Sequence, residues 1–186
     1  MSTGLYGGVF DPPHNGHVAL ARAALDQFDF QRLLVLVVVD PGHKGVDLEF
    51  ERRFELARLA FADLPRTTVT PEGHARTVDA LRAHHVADAR FLVGADEFAG
   101  FLSWKDPNEV LKLTRLAVAT RPGFPREALD GVLAGLERPD RVEFFEIPAF
   151  DVSSTEIRER ARRGEPIGDV VPDRVAREIE MAGLYR

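Results

Sequence analysis

The sequence predicts an α/β protein in which a mainly parallel sheet carries helices on both faces and a helical C-terminal part follows. Strand-like and helix-like segments alternate along the chain, the pattern of crossover units between parallel strands. Residues 33–39 form an unbroken run of leucine and valine, typical of a strand buried on both faces. A glycine-containing loop joins the first strand to the first helix, where such sheets bind ligands.

The individual elements follow from the spacing of apolar residues. Residues 18–28 are alanine-rich and amphipathic, and residues 50–62 place apolar side chains at helical intervals. We predict strands over residues 4–9, 33–39, 67–70, 90–93, 116–120 and 142–147, and helices over residues 18–28, 50–62, 78–85, 154–163 and 172–182. No repeat, low-complexity tract or linker interrupts them, so a single domain over residues 1–186 is expected.

Composition restricts the class of function. The chain has 186 residues, 45% hydrophobic and 29% charged, which suits a globular protein with a sizeable core. No apolar run approaches the roughly 20 residues of a membrane helix, and no secretory signal is visible. We therefore expect a cytoplasmic location and no membrane partner. The net charge of -6 argues against a nucleic-acid partner. The absence of cysteine excludes disulfides, thiolate metal sites and cysteine nucleophiles.

The first candidate site is the loop from Gly7 to His17. Gly7 and Gly8 lack side chains, so a phosphate group can approach the backbone N–H groups closely. The following helix begins near His14, and its N-terminus favours an anion. His14 and His17 are three residues apart and project to the same side of a helical turn. Two alternatives remain: a metal site that also uses Asp11, and a loop whose residues only shape the turn.

The second candidate site is the segment from Ser153 to Arg158. Ser153 and Glu156 have the spacing of a capping box, with Ser153 as the N-cap. A helix N-terminus that carries three hydroxyl groups, with Arg158 one turn into the helix, can bind an anion. The alternative is a well-capped helix with an exposed arginine. Together with the first loop, the segment favours a triphosphate ligand, which needs more than one binding element.

The residues from Gly8 to His17, together with Ser-Ser-Thr-x-Ile-Arg near the C-terminus, resemble the nucleotidyltransferase superfamily with the HxGH signature. Within it the chain is similar to the bacterial nicotinate-nucleotide adenylyltransferases. Further likeness lies in Pro41-Gly42-His43-Lys44, Arg52-Arg53, Gly94-Ala95-Asp96, Ser103-Trp104, Arg121-Pro122-Gly123 and Gly183-Leu184-Tyr185. The resemblance implies a Rossmann-like, doubly wound fold. It also implies transfer of AMP from ATP to nicotinate mononucleotide, giving deamido-NAD and pyrophosphate with the help of Mg2+.

The resemblance also implies roles for individual residues. Catalysis would rest on His14, His17, Lys44 and Arg158, with His17 stabilising the α-phosphate. ATP would contact Gly8, Val9, Phe10, His14, Gly16, His17, Asp96, Ser153, Ser154, Thr155 and Arg158. The acceptor would contact Thr77, Gly94, Trp104 and Arg121, with Trp104 stacked on the pyridine ring and Thr77 at the nicotinate carboxylate. No protein metal site is expected, and a homo-oligomer is possible.

The chain departs from the family pattern at Arg76, where the family has an aromatic residue before the threonine. This segment helps to choose between nicotinate and nicotinamide, so a nicotinamide-nucleotide or pantetheine-phosphate adenylyltransferase and a non-catalytic nucleotide-binding protein remain alternatives. Trp104 can also be a core residue, Asp96 a helix cap and Arg121 a turn residue. For four histidines no partner is predicted, and they are expected on the surface: His43, His74, His84 and His85.

Overall fold

The computed structural model describes residues 2–42, 45–86, 88–122, 124, 126–150 and 152–186. The described residues form one sheet of six parallel strands, in the order β3-β2-β1-β4-β5-β6. The strands are β1 (Thr3–Gly8), β2 (Arg32–Val38), β3 (Thr67–Glu72), β4 (Ala89–Gly94), β5 (Arg115–Thr120) and β6 (Val142–Glu146). This order confirms the doubly wound α/β prediction. From β1 the first three strands extend the sheet towards one edge and β4 to β6 extend it towards the other, so the strand order reverses between β1 and β4.

Successive side chains of the strands point to opposite faces and form two apolar clusters. Leu33, Val35 and Val37 belong to one cluster, and Leu36 belongs to the other. The leucine and valine run is therefore explained, because a strand between two helical layers buries both of its faces.

Helices cover both faces. The first cluster is covered by α1 (Asn15–Phe28), α2 (Phe50–Phe61), α7 (Ser154–Arg162) and α8 (Asp173–Met181). The second is covered by α3 (Thr77–His84), α4 (Ala95–Ala99), α5 (Pro107–Leu113) and α6 (Arg126–Ala134). The sequence prediction did not include α4, α5 or α6. Helices α4 and α5, of five and seven residues, complete too few turns to show a 3.6-residue period.

The bounds of two elements differ from the apolar patterns. Helix α1 begins at Asn15, next to His14 as the first candidate site predicts, whereas the alanine-rich pattern at residues 18–28 covers only its later part; His17 therefore lies within its first turn. Strand β3 continues past residue 70 through Pro71 to Glu72. Because β3 pairs only with β2, it is an edge strand, where a proline without an N–H group is tolerated. The longer strand carries Glu72 to the carboxyl end of the sheet.

The C-terminal helix packs into the same core as the sheet. Val175 and Ile179 of α8, and Tyr185 after it, belong to the cluster that contains the β2 valines. This packing supports a single domain, which stays a prediction. None of the helices in the described part of the chain combines the length and apolar character needed to cross a membrane.

Candidate active site

A cavity of about 950 Å³ opens at the carboxyl ends of the strands. The last residues of β1, β4 and β5, which are Gly8, Gly94 and Thr120, line it. The cavity therefore spans the point where the strand order reverses, as expected for a ligand site in this architecture.

The structure brings nearly all the predicted site residues to this one cavity. Its lining includes Gly8, Val9, Phe10, His14, Gly16, His17, Thr77, Gly94, Asp96, Trp104, Arg121, Ser153, Ser154, Thr155 and Arg158. Lys44 and His43 lie outside the described residues. The two candidate segments are about 140 residues apart in sequence and share one site, because α1 and α7 cover the same face of the sheet.

The two histidines of the first loop face each other at the start of α1. Their rings stack with centroids 3.6 Å apart and planes inclined by 24°. The backbone N–H of His14 donates to Nδ1 of His17 over 3.1 Å. Because Nδ1 accepts this bond, the proton of the neutral His17 ring is on Nε2, which leaves Nε2 as a hydrogen-bond donor.

Both imidazoles are neutral near neutral pH. Burial lowers the pKa of His14 from its ordinary 6.5 to about 4. Burial, and secondly the neighbouring His14, lower the pKa of His17 well below 6.5. The buried Nδ1 of His14 has no hydrogen-bond partner within the described residues. In this state the two rings can act as neutral hydrogen-bond donors rather than as cations.

The glycines before the histidines lie close to aromatic rings. A Cβ atom on Gly8 would lie 2.6 Å from the ring of Phe10, and one on Gly7 would lie 3.0 Å from the ring of Phe91. Phe10 is buried with a φ of 53° and packs edge-on against His17, with ring centroids 5.2 Å apart. The clash with Phe10 disfavours a side chain at Gly8, whereas the contact at Gly7 is only tight. The approach of a phosphate to these glycines stays a prediction.

Hydrogen bonds tie the second segment to the first loop. Ser153 caps α7 as predicted, with its Oγ accepting the backbone N–H of Glu156 over 3.2 Å. Ser154 Oγ donates to the carbonyl of Pro12 over 2.8 Å. Arg158 Nη1 donates to the carbonyl of Asp11 over 2.8 Å. The start of α7 and the loop therefore form one connected wall of the cavity.

Asp11 is engaged in the packing of this wall. Its carboxylate accepts the Tyr185 hydroxyl over 2.7 Å and the backbone N–H of Asp47 over 2.6 Å. Burial, and then the bond to Asp11, raise the pKa of Tyr185. Asp47 in turn forms ion pairs with Arg158 and Arg162. The metal alternative placed Asp11 beside the histidines as a ligand, whereas both of its oxygens bind other groups. Among the described residues no three or more His, Cys, Asp and Glu side chains form a possible metal cluster.

Arg53 connects the first loop to neighbouring segments through hydrogen bonds to the backbone. It is 1% exposed and donates four hydrogen bonds to backbone carbonyls: Nε to Leu48, Nη1 to Val9 and Val38, and Nη2 to Val39. Val9 follows β1, Val38 and Val39 stand at and just after the end of β2, and Leu48 precedes α2. This role could not be predicted from the sequence, because the position of one arginine in an amphipathic helix pattern does not show how deeply its side chain is buried.

Trp104 combines packing with exposure to the cavity. Its ring packs edge-on against Phe91 and Phe101, with centroids 6.5 and 5.1 Å apart, and its side chain also lines the cavity. The core and stacking interpretations are therefore compatible. Asp96 and Arg121 approach each other to 3.7 Å. The sequence predicts that Asp96 contacts ATP and that Arg121 contacts the acceptor. The structure places the two residues side by side on the lining, with the Asp96 side chain 75% exposed.

The prediction that His74 and His84 lack partners was wrong, although both are on the surface as expected. His74 Nδ1 and His84 Nε2 lie 2.7 and 2.6 Å from the two carboxylate oxygens of Glu72, which is only 3% exposed. The backbone N–H of His74 also donates to Glu72 over 2.8 Å. Burial works to raise the pKa of Glu72, but these bonds from His74 and His84 lower it overall. Glu72 was missed because Pro71 obscures the strand that carries it.

Comparisons with known proteins agree with this geometry. Residues 5–160 match the cytidylyltransferase-like family. A Leifsonia xyli protein named "Probable nicotinate-nucleotide adenylyltransferase" is 36% identical, over 98% of this chain and 93% of that protein. A Thermus thermophilus protein of the same name is 35% identical over the full length of both. The chain belongs to the nicotinate-nucleotide adenylyltransferase family. It is accordingly an enzyme of the nucleotidyltransferase class.

Solved structures support the fold of this adenylyltransferase family member. The nicotinic acid mononucleotide adenylyltransferase of Plasmodium falciparum complexed with NaAD has a TM-score of 0.77, covering 99% of this chain and 97% of that one. The same enzyme complexed with APC has a TM-score of 0.73. At 17% sequence identity these matches establish the shared fold.

Proposed function

We propose that this protein transfers AMP from ATP to nicotinate mononucleotide, releasing pyrophosphate and forming deamido-NAD. The observation that carries the proposal is the single cavity in which the stacked His14 and His17 meet Ser154, Thr155 and Arg158. Two anion-binding elements that share one cavity suit a triphosphate. Relatives over the full chain length bear the name of this activity.

The reaction needs positioning and charge stabilisation more than covalent catalysis by the protein. An oxygen of the mononucleotide phosphate attacks the α-phosphorus of ATP in line with the leaving group. A new phosphorus–oxygen bond forms, and the bond from the α-phosphorus to the bridging oxygen of pyrophosphate breaks. The attacking phosphate is already ionised, so no general base is required. Aligning the reactants and stabilising the developing charge are sufficient sources of rate.

In this mechanism His17 Nε2 donates a hydrogen bond to the α-phosphate oxygens. Its direction is fixed because His17 Nδ1 already accepts the His14 backbone N–H. A preoriented neutral donor in a buried site stabilises developing charge without reorganisation. Arg158 would hold the outer phosphates from its position against Asp11 and Thr155. Lys44, which precedes Gly45 in the sequence, would neutralise further phosphate charge.

Mg2+ would enter as part of the MgATP substrate. Magnesium is commonly held by substrate phosphates and water with few protein ligands. The cavity fits this mode, because the carboxylates of Asp11 and Glu72 on its lining accept hydrogen bonds from the protein and that of Asp96 pairs with Arg121. The metal would supply charge neutralisation on the phosphates, while the protein residues orient the triphosphate.

The acceptor assay tests the proposal. Purified protein is mixed with ATP, Mg2+ and either nicotinate or nicotinamide mononucleotide, and pyrophosphate release is measured. We expect turnover with a preference for the nicotinate form. Absence of release with both acceptors would refute the proposed reaction, and a preference for the nicotinamide form would correct the acceptor alone. A cytoplasmic location, the absence of nucleic-acid partners and a homo-oligomeric state stay predictions.

A further inference from the structure

Arg76 lies at the start of α3, among the residues that line the cavity. It precedes α3 as the N-cap residue, and its carbonyl accepts the backbone N–H groups of Asp79 and Ala80, both over 3.1 Å. Arg76 is exposed and is one of the residues that line the cavity, together with Thr77 and Trp104. This is the position at which the chain departs from the family's aromatic residue.

The carboxylates close to Arg76 in sequence are bound to other groups. Asp79 pairs with Lys105 over 2.9 Å and with Arg82 over 3.5 Å. Glu72 is enclosed by His74 and His84. Within the part of the chain that the structure describes, Arg76 has no ion pair. Its charge is therefore available to a ligand.

The other cations on the described lining are already paired. Lys105 contacts Asp79, Arg121 contacts Asp96 and Arg158 contacts Asp47. Arg76 thus differs from them, because an anion in the cavity can bind it without first breaking an ion pair. Forming such a contact costs less than exchanging one carboxylate partner for another.

The buried carboxylate of Glu72 anchors residues 74–84, which include Arg76, at both ends. His74 lies two residues before Arg76, and His84 is the last residue of α3. Because both rings and the His74 backbone N–H bind Glu72, the turn before α3 and the helix itself are fixed to the end of β3. An arginine on an anchored turn loses less conformational entropy on binding than one on a free loop.

The location favours the ring end of the acceptor rather than its phosphate. Arg76 follows β3, whereas His17 follows β1, and two strand spacings of about 4.8 Å each separate these strands. In the proposed reaction the acceptor phosphate must reach the α-phosphate beside His17. The pyridine ring, at the other end of the mononucleotide, is then free to lie between Trp104 and the start of α3.

We propose that Arg76 is a specificity residue that pairs with the carboxylate of the acceptor's pyridine ring. The inference rests on the proposed function. A guanidinium and a carboxylate can form a charge-assisted, two-point contact, whereas an uncharged carboxamide gains much less from it. Arg76 would therefore favour nicotinate over nicotinamide mononucleotide, in place of the aromatic side chain of the family.

The test compares kcat/KM for the two acceptors in wild type, Arg76→Gln, Arg76→Lys and the control Arg82→Gln. Arg82 lies on the same helix and pairs with Asp79 and Asp106. For Arg76→Gln we expect a loss of about 10- to 100-fold with the nicotinate form, the range of a hydrogen bond to a charged group. With the nicotinamide form we expect a loss below about 3-fold. Arg76→Lys should keep part of the preference, and Arg82→Gln should keep all of it.

Equal losses with both acceptors would place Arg76 at the shared phosphate and overturn the inference. If the ratio of kcat/KM for the two acceptors were the same in Arg76→Gln as in the wild type, the inference would also be overturned. The proposed function would still stand in that case, because the wild type turns over the acceptor. If the wild type used neither acceptor, the proposed function would fail, and this inference with it. The KM for ATP, which we expect to be unchanged in all variants, shows that the rest of the site is intact.

Discussion

Acidification should destabilise the protein through the buried histidine pair, and His14 allows the size of the effect to be worked out. The pKa of His14 is about 4 in the folded protein, against an ordinary 6.5. Between these values the unfolded chain binds more protons than the folded one, so stability is retained above 6.5 and falls as the pH is lowered towards 4. For one group with these pKa values, acidification from about pH 7 to pH 5 costs about 2 kcal/mol. For a domain of this size, that corresponds to a decrease in Tm of about 4–8 °C.

The assay is denaturant unfolding of the wild type and of His14→Asn at about pH 7 and pH 5. Asparagine does not titrate and is a good N-cap residue, so α1 should still begin there. On acidification, the free energy of unfolding of the variant should fall by about 2 kcal/mol less than that of the wild type. His85→Asn is the control, since His85 is an exposed C-cap residue with a φ of 43° that asparagine tolerates. An equal loss in wild type and His14→Asn would refute the argument that burial of this imidazole controls the acid response.

The remaining predictions concern the reaction and the support of the loop. His17→Ala should fold normally and lose at least about 100-fold in kcat, as for removal of a donor to developing charge; near-normal turnover would contradict its role. Tyr185→Phe should lower the free energy of unfolding by about 1–3 kcal/mol, because it leaves a buried oxygen of Asp11 without its hydrogen bond; an unchanged midpoint in denaturant would contradict this. Arg53→Lys should be destabilised by several kcal/mol, since an ammonium group cannot replace the four hydrogen bonds of the guanidinium to backbone carbonyls. Wild-type thermal stability of that variant would show that the charge alone is sufficient.

The neutral state of the histidine pair limits how the loop can act. Desolvation of two stacked rings makes a proton on either one costly. An arriving triphosphate would meet hydrogen-bond donors at His17 and a cation at Arg158. The guanidinium of Arg158 is held by the carbonyl of Asp11 and the carboxylate of Asp47.

The sequence by itself determined the fold class and most of the candidate site. The run at residues 33–39 required a strand buried on both faces, and the alternation of elements required parallel crossovers. The spacing of His14 and His17 placed both rings on one side of a helical turn. The capping pattern at Ser153 fixed the start of α7. These are local properties, because a few covalently adjacent residues determine each of them.

Only the tertiary structure decided which distant groups meet. The contact of Tyr185 with Asp11 joins residues 174 positions apart. The depth of Arg53 and the enclosure of Glu72 by His74 and His84 arise from the packing of separate elements. The protonation state of the histidines and the free charge of Arg76 have the same origin. Burial and pairing depend on all the elements that surround a group, and no local pattern along the chain records them.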